Sequence, residues 1–117
     1  MSATFDPFVK LLPSGAKILD LGCGSGRDSL AFQKRGFNVL AVDGAEEMVK
    51  HTLSLGVPAQ QMWIEDIAFM NEFDAIWCCA SLVHVKKERL PDVFNRIQQA
   101  LKPTGIALVS FKKGRGE

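Results

Sequence analysis

Lys17-Ile18-Leu19-Asp20-Leu21-Gly22-Cys23-Gly24-Ser25-Gly26-Arg27-Asp28 is the stretch that decides the fold. A short, mostly apolar run ends in three glycines spread over five positions, and a helical pattern follows. Such a run suits a strand buried on both faces of a parallel sheet. Glycines permit positive φ and leave no side chain between the backbone and a ligand. A loop that ends a strand and opens a helix lies at the carboxyl end of the sheet, where α/β folds bind ligands.

Outward from this loop, strand and helix patterns alternate. Residues 28–35 predict a helix with Leu30, Ala31 and Phe32 available to one side and Gly36 as its stop. Residues 37–42 predict the second strand and 45–55 the second helix. Glu46 and Glu47 sit in that helix's first turn, where carboxylates favour the dipole, and Gly56 and Pro58 close it. Residues 61–65 predict a third strand, 67–71 a turn or helical stub, and 73–79 a fourth strand. The stretch 91–101 predicts an amphipathic helix with Val93, Phe94, Ile97 and Leu101 on one face, Pro91 in its first turn and Pro103 beyond its end. Residues 105–111 predict the fifth strand. The expectation is a Rossmann-like, doubly wound α/β fold: about five parallel strands with helices on both faces, in one domain over 1–117.

Bulk properties exclude several classes. The chain has 117 residues, 47% of them hydrophobic, with 14 basic against 13 acidic side chains and a net charge of +1. That balance gives no field to attract nucleic acid or an anionic membrane, and Lys112, Lys113 and Arg115 read as a solvated end. No apolar run approaches the roughly 20 residues of a membrane span. Residues 1–10, with Asp6 and Pro7, lack a signal pattern. Cys23, Cys78 and Cys79 are odd in number and two are adjacent, which fits neither a disulfide framework nor a metal spacing. A cytoplasmic protein without a metal is expected. The dinucleotide fingerprint would need glycine at position 27, which is Arg27, and no Gly-Lys-Ser/Thr of a phosphate loop follows.

Residues 18–26, Ile-Leu-Asp-Leu-Gly-Cys-Gly-Ser-Gly, resemble the hallmark of class I S-adenosylmethionine-dependent methyltransferases. The resemblance implies S-adenosylmethionine as cofactor, S-adenosylhomocysteine as product, and strand order 3-2-1-4-5. It implies that Gly22, Cys23, Gly24, Ser25 and Gly26 pass under the methionine and ribose, and that Asp20 helps hold the methionine ammonium directly or through water. Asp43, 17 residues beyond Gly26, would grip both ribose hydroxyls; a carboxylate accepts two charge-assisted bonds from a cis-diol. In Glu65-Asp66-Ile67, Asp66 is the expected adenine contact with Ile67 donating its backbone N–H, and Glu65 is the alternative. Gly44 departs from the family, many of whose members carry a bulky residue there; adenine packing then falls to Met48, Trp63 and Ile67.

Residues 73–85 resemble the family's fourth strand and the loop after it, which places Cys79, Ala80 and Ser81 over the transferable methyl group. Cys78 and Cys79 read as buried small residues in preference to nucleophiles. His84 is the candidate for a base or substrate-positioning group, with a structural loop role equally open. Gly24-Ser25-Gly26-Arg27-Asp28-Ser29, residues 77–85 and residues 110–117 resemble small bacterial methyltransferases of the tellurite-resistance and thiopurine type. That branch would place Arg27 and Asp28 at the helix start beside the cofactor, and would take a small-molecule acceptor such as a thiol or metalloid. The family usually adds an antiparallel hairpin beside the fifth strand and a lid before the first. Their absence here predicts a C-terminally truncated domain, or completion by a partner, with a homodimer through the edge at 106–111. The alternative function is a remnant or subunit that binds S-adenosylmethionine or S-adenosylhomocysteine without catalysis.

Overall fold

Alternation along the first strand sets the layers. β1 (Lys17–Leu21) lies at the centre of a five-stranded parallel sheet in the order β3-β2-β1-β4-β5, in a computed structural model that describes residues 5–79 and 85–110. Its neighbours are β2 (Asn38–Asp43) and β4 (Phe73–Cys79), and β3 (Ala59–Gln61) and β5 (Leu101–Ser110) form the edges. Ile18 points into one core, and Leu19 and Leu21 into the other, as the two-residue strand period requires.

The first core is aromatic. Phe32 of α2 (Arg27–Lys34) stacks on Phe5 of α1 (Phe5–Lys10) with ring centroids 4.6 Å apart, and meets Trp77 of β4 edge-on at 5.4 Å. Phe8 lies 5.0 Å from the same indole. Offset and edge contacts of this kind add to the large area that such rings bury. The second core packs Leu19, Leu21, Val42, Phe73 and Ile76 against Val93, Ile97 and Ala100 of α4 (Leu90–Ala100). Arg96 of α4 donates from Nε to Asp92 and from Nη1 to the carbonyl of Ile67, which pins the β3–β4 crossing to that face.

Most predicted elements recur within a residue or two. Gly36 and Gly56 take φ of +93° and +85° just beyond α2 and α3 (Glu46–Ser54) and donate their N–H groups to the last turns, as helix-ending glycines do. Three expectations need correction, and one helix was not expected. The third strand is Ala59–Gln61, not 61–65, and Ile64–Asp66 form a 3₁₀ turn. The apolar run Met62-Trp63-Ile64 mimics a strand, yet Met62 and Ile64 pack on the second core where the chain crosses the sheet. The stub expected at 67–71 is this turn, placed three residues earlier.

The fifth strand starts at Leu101, which pairs with Phe73 before a register shift; regular pairing resumes at Ile106 against Ala75. Residues 102–105 are the irregular part, and the Pro103-Thr104-Gly105 signal hid the first pairing. Finally, α1 was not predicted. Its apolar residues are few, but Phe5 and Phe8 both reach the core, and six residues offer too short a pattern to show a period.

Phe32 joins α1, α2 and β4, so Phe32→Ala should destabilise the protein by about 3–5 kcal/mol, the usual cost of emptying a fully buried aromatic site. Urea unfolding checks this; a loss under about 1 kcal/mol would mean that the cluster collapses around the void.

Candidate functional site

The glycine loop is built by backbone geometry. Gly22, Gly24 and Gly26 take φ of +73°, +56° and +84°, a region that favours glycine. The N–H groups of Gly22 and Cys23 both donate to Val42 O, at 2.7 and 3.0 Å, so the end of β2 holds the loop's first turn. A Cβ added at Gly24 would meet nothing within 4 Å, so the space beside this residue is open. Gly26 caps α2 without a side-chain bond, and Ser25 and Arg27 are exposed.

Asp43 ends β2. Its Oδ2 accepts the Gly24 N–H at 2.9 Å and its Oδ1 the Ala45 N–H at 2.8 Å. Both oxygens are thereby oriented, and each retains a lone pair for a further donor. The carboxylate sits between the glycine loop and the first turn of α3.

Asp20 is the unusual group. It is only 2% exposed, near the carboxyl end of the central strand, with Ala41 and Trp77 as its register partners. Ser29 of α2 donates to its Oδ2 at 2.6 Å. Burial disfavours the charged form, and the neighbouring Asp28 and Asp43 add repulsion; together they outweigh the serine bond and push the carboxyl from 3.8 up to about 7. Asp28, in the first turn of α2, accepts the Trp77 indole N–H at 3.0 Å. Three carboxylates thus converge beside a helix start with no basic side chain bonded to any of them among the described residues. Such a site fits a cationic group, which would compensate the charge that the fold leaves on Asp20.

Next to this lies an aromatic wall. A Cβ on Gly44 would fall 2.3 Å from Cε3 of Trp63, so the indole lies flat against Gly44 and remains 61% exposed. Met48 of α3 is also exposed. The turn that follows carries Asp66 exposed and Glu65 half-buried. Ile67 is fully buried, and its N–H is turned toward Ile64 O at 3.5 Å.

The structure therefore brings Asp20, Gly22, Cys23, Gly24, Ser25, Gly26, Asp28, Asp43 and Gly44 to the carboxyl ends of β1 and β2, with the Trp63 turn beside them. It places Ile67 in the core beneath. Cys79 ends β4; Ala80, Ser81 and His84 lie outside the described residues. Sequence reasoning missed Ser29 and Trp77. Ser29 follows Asp28 on the helix that the loop opens, so its hydroxyl could have been matched to the buried carboxylate. The indole bond to Asp28 had no local signal, because 49 residues separate the partners.

A methyltransferase-domain family profile matches residues 18–105. YqeM of Bacillus subtilis, which carries a methyltransferase name, is 37% identical over 105 residues, covering 83% of this chain and 42% of that protein. A ubiquinone biosynthesis O-methyltransferase of Xanthomonas axonopodis is 36% identical over 112 residues, covering 86% of this chain and 45% of its own length. The crystal structure of a TehB-like SAM-dependent methyltransferase from Corynebacterium glutamicum superposes with a TM-score of 0.86 at 26% identity, covering 97% of this chain and 64% of that one. The chain spans less than half the length of the two curated relatives. No helix among the described residues is long and apolar enough to cross a membrane.

Folded Asp20 keeps its proton to about pH 7, whereas the unfolded carboxyl releases it near 3.8. The native state therefore binds more protons between those values, and its stability falls as pH rises through that window. Asp20→Asn removes the charge and keeps an oxygen for Ser29. The variant should match wild type near pH 4 and exceed it by about 1–3 kcal/mol at pH 8, as expected for removing an uncompensated buried charge. Thermal melts at both pH values check this; a gap that fails to widen with pH would show that Asp20 is not strained in the native state.

Proposed function

The chain belongs to the family of S-adenosylmethionine-dependent methyltransferases, and on that premise we propose that it binds S-adenosylmethionine at this loop and transfers a methyl group to a small-molecule acceptor. The observation that carries the proposal is Asp20: a buried carboxylate beside a glycine loop, held short of full ionisation by burial and by the neighbouring Asp28 and Asp43. An α-ammonium supplies a compensating cation. Asp43, already oriented by two backbone donors, offers its remaining lone pairs to a ribose diol. The open space at Gly24 lets backbone and ligand approach closely. Trp63 and Met48 offer apolar surface to the adenine, and Asp66, or Glu65 beside it, accepts from the exocyclic amino group.

S-adenosylmethionine supplies, when bound, a methyl group on a sulfonium, already a strong electrophile. The residues of this chain have the remaining work of fixing the cofactor's orientation and excluding water, so that an acceptor meets the methyl in a near-attack geometry. For the acceptor we favour a thiol or metalloid, from the resemblance carried by residues 24–29 and 77–85. The O-methyltransferase name of the Xanthomonas relative adds a hydroxyl oxygen to the candidates. Cys79 and Ala80 are proposed to lie over the transferable methyl group, and His84 to act as a base or to position the acceptor.

Calorimetry separates the claims. Wild type should bind S-adenosylhomocysteine and not NAD, and Asp43→Ala should weaken binding at least tenfold, about 1.4 kcal/mol, through loss of two charge-assisted bonds. Affinity should also rise between pH 6 and 8, because Asp20 ionises near 7 and only its charged form pairs with an ammonium; Asp20→Asn should flatten that rise. Absence of S-adenosylhomocysteine binding by wild type would overturn the proposal. Labelled-methyl transfer to thiols, selenite, tellurite and a catechol then distinguishes an enzyme from a domain that only binds.

A further inference from the structure

Thr52 of α3 is fully buried, yet it belongs to none of the groups assigned to the ligand above. Its Oγ1 donates to Met48 O at 2.9 Å, the bond a helical threonine makes to the turn before it. With that proton committed, Oγ1 can only accept from a second partner. The partner is Cys23 Sγ, 3.5 Å away in the glycine loop; Gly24 O, at 3.7 Å, is the more distant acceptor for the same thiol. Burial raises the pKa of the Cys23 thiol, the effect that most outweighs the Thr52 bond, so the group keeps its proton and remains a donor.

The same side chain presses on the other end of the loop. A Cβ at Gly26 would stand 2.6 Å from Thr52 Oγ1, 3.0 Å from Cγ2 and 3.1 Å from Cβ. Real Cβ atoms essentially never come as close as the 2.6 Å to Oγ1, and the two carbon contacts are tight as well, so Thr52 fills the place where a side chain at Gly26 would go. One residue of α3 therefore contacts the loop at positions 23 and 26. Asp43 holds position 24 between them.

We infer that Thr52 is a positioning residue for the cofactor loop: it sets the loop's distance from α3 by contact with Gly26 and its orientation through the Cys23 thiol. The inference rests on the loop being the S-adenosylmethionine site. Thr52 does not touch the open side of the loop, so it acts through Cys23 and Gly26 and not on the ligand itself.

Thr52→Val keeps the shape and removes the acceptor, so it should weaken S-adenosylhomocysteine binding about three- to tenfold, the scale of one buried hydrogen bond. Thr52→Ser should restore most of the affinity, which a purely volume-filling role would not predict. Cys23→Ala removes the same bond from the loop side, and the double variant Cys23→Ala/Thr52→Val should lose little beyond the larger single loss. Wild-type affinity in Thr52→Val, failure of Thr52→Ser to rescue, or losses that add in the double variant would each overturn the inference. Should Thr52→Val fail to fold, the comparison of Cys23→Ala with wild type carries the same decision, and unchanged affinity there overturns it. A wild-type protein that does not bind S-adenosylhomocysteine removes the cofactor reading first, a result distinct from binding that ignores Thr52.

Discussion

The carboxylate of Asp43 joins two parts of the chain that must be fixed together. It accepts one N–H from the β1–α2 loop and one from the start of α3, so the last residue of β2 sets both approaches to the site. The backbone reinforces this: Val42 O takes the Gly22 and Cys23 N–H groups just before the carboxylate takes that of Gly24. Three successive loop donors end on two successive residues of the neighbouring strand. A glycine-rich loop pays a high entropic cost on ordering, and these donors give it one conformation before any ligand arrives. The side chain suited to a diol is thus also the one that holds the loop. Removing it would change both.

Asp20 shows the opposite economy. Every neighbouring position in the central strand is apolar, and an apolar residue at 20 would pack without charge or desolvation. The fold instead holds a carboxyl there near neutrality, tied to Ser29 and facing Asp28 and Asp43. Buried charges without a counter-ion are costly, and a cost kept at a strand end beside a ligand loop is characteristic of functional sites. A cationic partner at this position would relieve that cost. Asp74 marks the contrast: at the other end of the sheet it caps the Lys17 N–H and lies by Lys102, and its carboxyl is held below the usual range. Asp74 has basic partners within the fold, whereas Asp20 has only the Ser29 hydroxyl among the described residues.

Much of the framework was legible in the chain because it follows from local pattern. The order of strands and helices and the glycine stops at 36 and 56 rest on spacing within a few turns. What escaped depended on contacts between distant segments. Met62-Trp63-Ile64 looks like a strand until the crossing to α4 is known, and Arg96, which holds Ile67 O, lies 29 residues from it. The helix at Phe5–Lys10 declares itself only through the rings of Phe32 and Trp77. The Ile67 side chain belongs to the second core, a placement set by contacts from α4 and the sheet. Strand and helix periods report which face is apolar; they do not report what will cover it.

The glycines make the same point within the motif. Read as a pattern, the glycines of Gly22-Cys23-Gly24-Ser25-Gly26 suggest one cause, close approach to a ligand, and Gly44 stands apart from them. The structure gives them different ones. Gly24 borders open space, so a side chain there would meet only what enters the site. Gly26 borders Thr52, so its hydrogen is required by packing against α3 as well as by a φ of +84°. Gly44 borders the Trp63 ring, and its missing side chain is what admits that indole. An exposed aromatic face from 19 positions further along thus stands beside the residue that follows Asp43. A glycine at 44 and a tryptophan at 63 are then one feature, because each is tolerable only in the presence of the other: the ring would collide with any Cβ, and a bare glycine would leave the wall empty.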